Sequence, residues 1–305
     1  MNPIDYQIED FLSHCDSKGL SKKTLKSYNA TLQLMAQWMA TRKIVDAEKI
    51  KSGDIDSYIN WIGKRGHMTQ NRPVSKITIN GYIRNMKVFF NWMVDFDYIN
   101  KSPLRVKQFK VDREPLVFVG DKDFKDLIKC LDKSKYPEYR DGIIIQTLLD
   151  TGMRIGECLS LKNSNVNFKN NSIWLEWDKT KGKRSRTVFF GDNLRKILKA
   201  WIRHRDIFVE SDYLFPNQFG EQLAINTFER NLRVYQKRID LSDITPKTFR
   251  NNFAKRFLMN GGDIFTLSKI LGHSSVKVTE TAYLDLTDDD LRRKYISPIN
   301  KMRGE

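Results

Sequence analysis

The stretch that most limits how this chain can fold is NKSPLRVKQFKVDREP, residues 100 to 115. It carries two prolines and several basic residues, with no helical or strand period. Proline fixes its own φ, lacks an N–H and disfavours helix in the residue before it. No regular element runs through such a stretch, so the 305 residues are read as two units. The reading places a helical unit at 1–100, a linker at 101–116, a second unit at 117–286 and a charged tail at 287–305.

The first unit reads as four helices. One lies near residues 4–14, with Ile4, Ile8, Phe11 and Leu12 on one face. The next follows Ser21, a good N-cap, and repeats Leu25, Tyr28, Leu32, Met35 and Met39. A third near 54–63 carries Ile55, Tyr58, Ile59 and Ile62. A fourth near 76–95 carries Ile79, Tyr82, Ile83, Met86, Phe89, Phe90 and Met93. Stripes of methionine and aromatic residues at this spacing are read as core, not as a ligand box.

The second unit is mixed. Asp121 is expected to cap a helix with Phe124, Leu127 and Ile128, and a more buried helix follows with Ile143, Ile144, Ile145, Leu148 and Leu149. Strand patterns then stand at 166–168, 172–177 and 186–190, the last two flanking a turn around Gly182. Helical patterns resume near 192–206, 224–239, 246–260 and 263–271. The fold class expected is mainly α with a small β-sheet, in two domains, the second mixed α/β.

Fifty-three Lys and Arg against 37 Asp and Glu give a formal charge of +16 and a pI of about 9.6. Both halves share the excess. It points to a polyanionic partner, nucleic acid first. Candidate DNA contacts are Lys22, Lys23, Lys26, Arg84 and Lys87 on the first unit's helices, Arg105, Lys107 and Lys110 in the linker, and Lys183 and Arg184 in the hairpin turn. Each could equally be a solvated surface charge. Cys15, Cys130 and Cys158 are widely spaced, and only four histidines are present, so no zinc site of the usual spacing is expected. Few cysteines, no apolar leader and no apolar run near 18 residues lead to the expectation of a cytoplasmic protein with no membrane partner.

Four stretches could carry chemistry. TGMRIGE (151–157) sets Arg154 between two glycines where a helix ends, with Glu157 as an obvious ion-pair partner. TKGKRSR (180–186) sets Lys181 at a hairpin tip, where a lysine is usually just solvated. TPKTFRNNFAKRF (245–257) sets Lys247 and Arg250 one turn apart near a helix start, where an anion could lie between them. LGHSSVKVTETAY (271–283) sets His273 behind a glycine and Tyr283 ten residues on. Taken singly, each has an ordinary structural explanation. Together they supply arginines to clamp a phosphate, a lysine to protonate a leaving oxygen and a phenol to attack phosphorus. They lack the acidic clusters that metal-assisted or two-carboxylate hydrolysis needs.

In that order, TGMRIGE, TKGKRSR, KTFRNNFA, LGHSS and a downstream tyrosine resemble the tyrosine recombinase, or phage integrase, family, and the resemblance covers the whole chain. It implies a core-binding domain of SAM-like type at 1–100 and a catalytic domain at 117–286, arranged as a C-shaped clamp around duplex DNA. It implies Arg154 and Arg250 as phosphate-binding arginines and Lys181 as general acid, with Lys179 and Lys183 as competitors. Lys247 stands where relatives hold histidine or lysine, His273 contacts the phosphate, Tyr283 is the nucleophile and Glu157 supports the site. No metal or cofactor is implied. The implied partners are recombination sites on double-stranded DNA, three further copies in a synaptic tetramer, and an accessory DNA-bending or directionality factor. The implied location is the bacterial nucleoid. Three departures stand out. Lys247 replaces the more frequent histidine, Asn251 follows Arg250 where many members have histidine, and the His273–Tyr283 gap is ten where nine is common. Tyr295 is the later alternative nucleophile. Whether Lys247 or His273 is the general base stays open, as do a non-catalytic DNA-binding regulator and a relaxing or hairpin-forming enzyme of the same chemistry.

Overall fold

The computed structural model describes residues 3–65, 73–111, 118–176, 185–273 and 275–283. The chain divides into two compact units, residues 1–113 and 114–305.

The first unit holds helices α1 (Pro3–Ser17), α2 (Lys22–Thr41), α3 (Ser52–Arg65) and α4 (Lys76–Asp95). Ser21 is the N-cap of α2, its hydroxyl accepting from the Thr24 amide at 3.2 Å, and Ser75 does the same for α4 through Thr78. The apolar stripes face inward. Ile8, Leu32, Met35, Met39, Ile55, Met86, Phe89, Phe90 and Met93 are fully or almost fully buried, and Phe11 packs edge-on to Phe89 at 5.4 Å. Asn85 of α4 donates to Ser27 and Thr31 of α2 and draws those helices together beside Lys26 and Arg84. Past α4, Leu104 and Val106 still pack on this core, and Asn80 exchanges two hydrogen bonds with the backbone of Phe109. The chain read as linker thus begins as part of the first unit's packing.

The second unit runs α5 (Asp121–Lys129), α6 (Tyr136–Thr151), α7 (Ile155–Leu159), an antiparallel sheet β1 (Val166–Asn167), β2 (Ser172–Leu175) and β3 (Arg186–Phe189), then α8 (Asp192–Phe208), α9 (Ile225–Arg238), α10 (Pro246–Met259), α11 (Ile264–Leu271) and α12 (Val276–Tyr283). Gly120, not Asp121, is the N-cap of α5. Asp121 is its first helical residue, where its charge meets the positive helix end, and it pairs with Arg256. Strand alternation turns Ile173 and Leu175 of β2 and Val188 of β3 into the core, with Ile173 opposite Val188 and Leu175 opposite Arg186. Helix α6 runs through the middle and is buried on nearly every side. Its Asp141 carboxylate accepts from Arg140, Asn231 and Tyr235, which pins α9.

Candidate active site

The site begins where α6 stops. Gly152 ends that helix at φ +64, a left-handed conformation that glycine adopts without strain. A side chain there would also collide with Phe253, whose ring stands 2.2 Å from the position of an added Cβ. Two residues on, Arg154 is the N-cap of α7. Its amide donates to Glu157 Oε2 at 2.8 Å and its Nη1 donates to Glu157 Oε1 at 3.0 Å. Arg154 keeps a partly exposed side chain, whereas Glu157 is buried.

The same carboxylate receives a second arginine. Arg186, the first residue of β3, donates from Nη1 and Nη2 to the two oxygens of Glu157 at 3.0 and 2.7 Å, a bidentate pair. Its Nε donates to the Ile270 carbonyl in the last turn of α11 at 2.8 Å. Burial acts to raise the Glu157 pKa, but the hydrogen bonds and charge of Arg186, then those of Arg154, outweigh it, and the carboxyl titrates below its usual range. Arg186 was given no role from the sequence. The signal was there: 186 and 188 share a strand face, and 188 is a core valine.

Helix α11 ends at Gly272, again left-handed at φ +63. The amide of His273 reaches back to the Ser268 carbonyl at 3.1 Å, completing a Schellman-type end. A Cβ on Gly272 would sit 2.9 to 3.1 Å from the Arg186 side chain, so glycine leaves room for that guanidinium as well as turning the chain.

Arg250, in the first turns of α10, gathers these ends. Its Nη1 donates to the Gly152 carbonyl at 2.8 Å and its Nη2 to the Leu271 carbonyl at 2.7 Å. Both are carbonyls left over at helix C-termini, where a cation is favoured. Nη2 also meets His273 Nε2 at 3.0 Å, and His273 Nδ1 meets the Thr279 hydroxyl of α12 at 2.7 Å. An arginine has donors and no acceptor, so Nε2 accepts and the ring proton belongs on Nδ1. Burial, then Arg250, Arg154 and Arg186, push the His273 pKa down to about 4. The ring is neutral at pH 7.

The structure therefore brings together Arg154, Glu157, Arg250 and His273 from three separate segments, and adds Arg186 and Thr279. Lys247 shares the first turn of α10 but is exposed, while Arg250 is buried, so the two are not equivalent partners of one anion. Tyr283 is the last residue of α12. Lys181, with Lys179, Lys183 and Arg184, lies outside the described residues, as does the tail from 284 with Tyr295. Lys22, Lys23, Lys26, Arg84, Lys87, Arg105, Lys107 and Lys110 are all exposed on the first unit. Among the described residues no His, Cys, Asp or Glu cluster could hold a metal, and no helix is long and apolar enough to cross a membrane.

Three guanidinium groups around one carboxylate and a neutral imidazole leave a cluster with net positive charge, shaped to receive an anion. The family model described as the phage integrase family matches residues 118–290, which spans every element of this cluster. The chain belongs to the phage integrase family. A second model, the phage integrase N-terminal SAM-like domain, matches residues 8–100. Tyrosine recombinase XerA of Saccharolobus solfataricus is 29% identical over 287 residues, covering 92% of this chain and 89% of that protein. A crystal structure of XerA recombinase aligns with a TM-score of 0.53 at 26% identity, over 96% of this chain and 97% of that one. The Tn1549 transposon integrase in complex with a circular intermediate DNA aligns with a TM-score of 0.77 at 18% identity, over 96% and 99%, a likeness of fold. As a phage integrase family member this chain is an enzyme, a site-specific DNA recombinase of the tyrosine type.

Proposed function

We propose that this recombinase breaks and rejoins DNA through a covalent link to Tyr283. The observation that carries the reading is Arg250, whose one guanidinium joins the ends of α6 and α11 to His273, next to the helix that ends at residue 283. A scissile phosphodiester set against Arg154 and Arg250 has its non-bridging oxygens held by two guanidiniums as charge builds in the transition state. The Tyr283 oxygen attacks phosphorus, the bond to the 5′ oxygen breaks, and a 3′-phosphotyrosyl link forms. Lys181 gives its proton to the departing 5′ oxygen. The phenol's proton passes to Lys247 or His273. Glu157 holds Arg154 in place. A 5′-hydroxyl from the partner strand then reverses the step, so the bond energy is conserved and neither metal nor nucleotide cofactor is needed.

The two domains, 1–100 and 117–286, are proposed to close on opposite sides of the duplex, with Lys22, Lys23, Lys26, Arg84, Lys87, Arg105, Lys107, Lys110, Lys183 and Arg184 on its phosphates. Four protomers would join two sites, with the tail from 287 docking on a neighbour through Leu291, Tyr295, Ile296 and Ile299. The biological setting proposed is integration, excision or resolution of a mobile element or replicon in the bacterial nucleoid, helped by an accessory DNA-bending or directionality factor. The test is covalent trapping on nicked duplexes that carry the element's ends, without metal. An SDS-resistant adduct that Tyr283→Phe abolishes supports the reading. An adduct that survives the substitution moves the nucleophile elsewhere, Tyr295 first. Tight binding without any adduct leaves a non-catalytic DNA clamp.

A further inference from the structure

We infer that Thr279 is a positioning residue of this site: its hydroxyl holds Nδ1 of His273 and thereby fixes the face of α12 that carries position 283 against the arginine cluster. The inference rests on the reading of Tyr283 as the nucleophile.

Three helices meet on one imidazole. The backbone of His273 is fixed by the end of α11, through its amide on the Ser268 carbonyl. Its Nε2 is fixed by Arg250 of α10, and its Nδ1 by Thr279 of α12 at 2.7 Å. Thr279 is fully buried, while Lys277, Val278 and Glu280 around it are exposed. Threonine is a poor choice for a helix interior on propensity alone, and a buried hydroxyl is costly unless it is bonded. Both costs are met by the one bond to His273. Position 283 lies four residues beyond 279, about one turn along the same face of the helix. The bond that orients the histidine therefore also sets the rotation of α12 about its axis, and with it the side on which residue 283 emerges.

The chemistry of a hydroxyl adds a second reason. In the free site Arg250 donates to Nε2, so Nδ1 carries the proton and Thr279 accepts it. When a phosphate engages Arg250, Nε2 becomes useful as a donor to a phosphate oxygen. The ring then carries its proton on Nε2 and Nδ1 becomes the acceptor, with one proton on the ring before and after. A threonine hydroxyl serves both states by rotating, because it donates as well as accepts. Valine has the same shape and serves neither.

The test compares wild type, Thr279→Val and Thr279→Ser as full chains. Single-turnover adduct formation on the nicked duplex is measured beside DNA affinity, and ring NMR of His273 reports whether its Nδ1–H is hydrogen-bonded. Thr279→Val is expected to form adduct about tenfold more slowly, the size of one lost hydrogen bond, with affinity unchanged. Thr279→Ser should recover most of the rate, and in Thr279→Val the Nδ1–H proton, which Arg250 keeps on that nitrogen, should lose its hydrogen-bonded chemical shift. Wild-type rate in Thr279→Val, or a Thr279→Ser as slow as Thr279→Val, overturns the inference, the second by assigning the effect to the lost methyl. The NMR readout needs no cleavage. Should Tyr283→Phe still form adduct, the nucleophile reading falls while the Nδ1–H shift of Thr279→Val still decides whether Thr279 holds the ring; a shift unchanged from wild type refutes it.

Discussion

Replacing Glu157 by glutamine removes one charge and almost no volume, and it isolates what the carboxylate does for its two arginines. Glu157 is 2% exposed and Arg186 is 9% exposed, so their bidentate pair is dry. Removing one member of a buried pair leaves the other uncompensated, at a cost of about 3 to 5 kcal/mol. The Arg154 arm adds little, because that side chain is 28% exposed and solvent screens it. A glutamine can accept from one guanidinium, but its amide then points donors at the other. For a domain of this size each kcal/mol shifts Tm by roughly 2 to 4 °C, so a fall of about 6 to 20 °C is expected at pH 7. The pH dependence supplies the sharper check. The folded pKa of Glu157 lies below its unfolded value, so its stabilisation is fully present above the ordinary carboxylate range of about 4.3 and is lost as pH falls through the folded value. The gap between wild type and Glu157→Gln should therefore be constant near neutrality and narrow once pH drops below about 4. Urea titrations followed by tryptophan emission, with Trp201 buried in this domain, would measure it. A loss under about 1 kcal/mol at pH 7, or a gap that stays the same in acid, refutes the assignment of Glu157 as the charge anchor.

Gly152→Ala should destabilise by about 2 to 4 kcal/mol in thermal unfolding, since a left-handed φ and a 2.2 Å approach to Phe253 act together. Arg250→Lys should reduce adduct formation by at least about a hundredfold while DNA binding changes far less, because one ammonium cannot reach two carbonyls and an imidazole at once; near-normal cleavage would count against the clamp role. DNA affinity should fall steeply with salt, about a thousandfold or more between 50 and 200 mM for six or more phosphate contacts, and a shallow slope in a binding titration would remove the DNA assignment from most of the exposed lysines. The His273 ring, with its pKa near 4, should stay neutral down to about pH 5 in the free protein and titrate at higher pH once a phosphodiester is bound; identical NMR titrations with and without DNA would contradict this.

The helices were legible because burial writes a period into the sequence. Most residues of the α1 to α4 stripes are buried, with Leu12, Leu25, Tyr28 and Tyr82 half-buried against the same core, and the caps at Ser21 and Ser75 fix where α2 and α4 begin. Arg154 and His273 were legible for a different reason, since each follows within two residues a glycine that ends a helix, and such a turn is where a side chain can leave the core. Arg186 was not legible in the same way. It is one cation among several in TKGKRSR, and only its strand register against Leu175 separates an inward arginine from a solvated one. Thr279 carries no signal in a sequence window, because its partner lies across a turn. The spacing of Lys247 and Arg250 showed one face but not depth. Depth is set by α6 and α11, whose carbonyls draw Arg250 inward and leave Lys247 outside.

A neutral histidine among three arginines looks like a poor base, and in the empty site it is one. The cause of its lowered pKa shows why that state is temporary. Burial comes first, but the remaining push comes from Arg250, Arg154 and Arg186, and a phosphodiester anion bound to those arginines cancels part of it. The anion also competes for the Arg250 donor that Nε2 now accepts. Binding of the proposed substrate thus raises the proton affinity of His273 and releases Nε2 from the Arg250 donor in one event. The ring is kept uncharged while the site is empty, which limits repulsion inside a cluster already rich in cations. Once the proposed phosphodiester takes the Arg250 donor, Nε2 is released to donate to a phosphate oxygen.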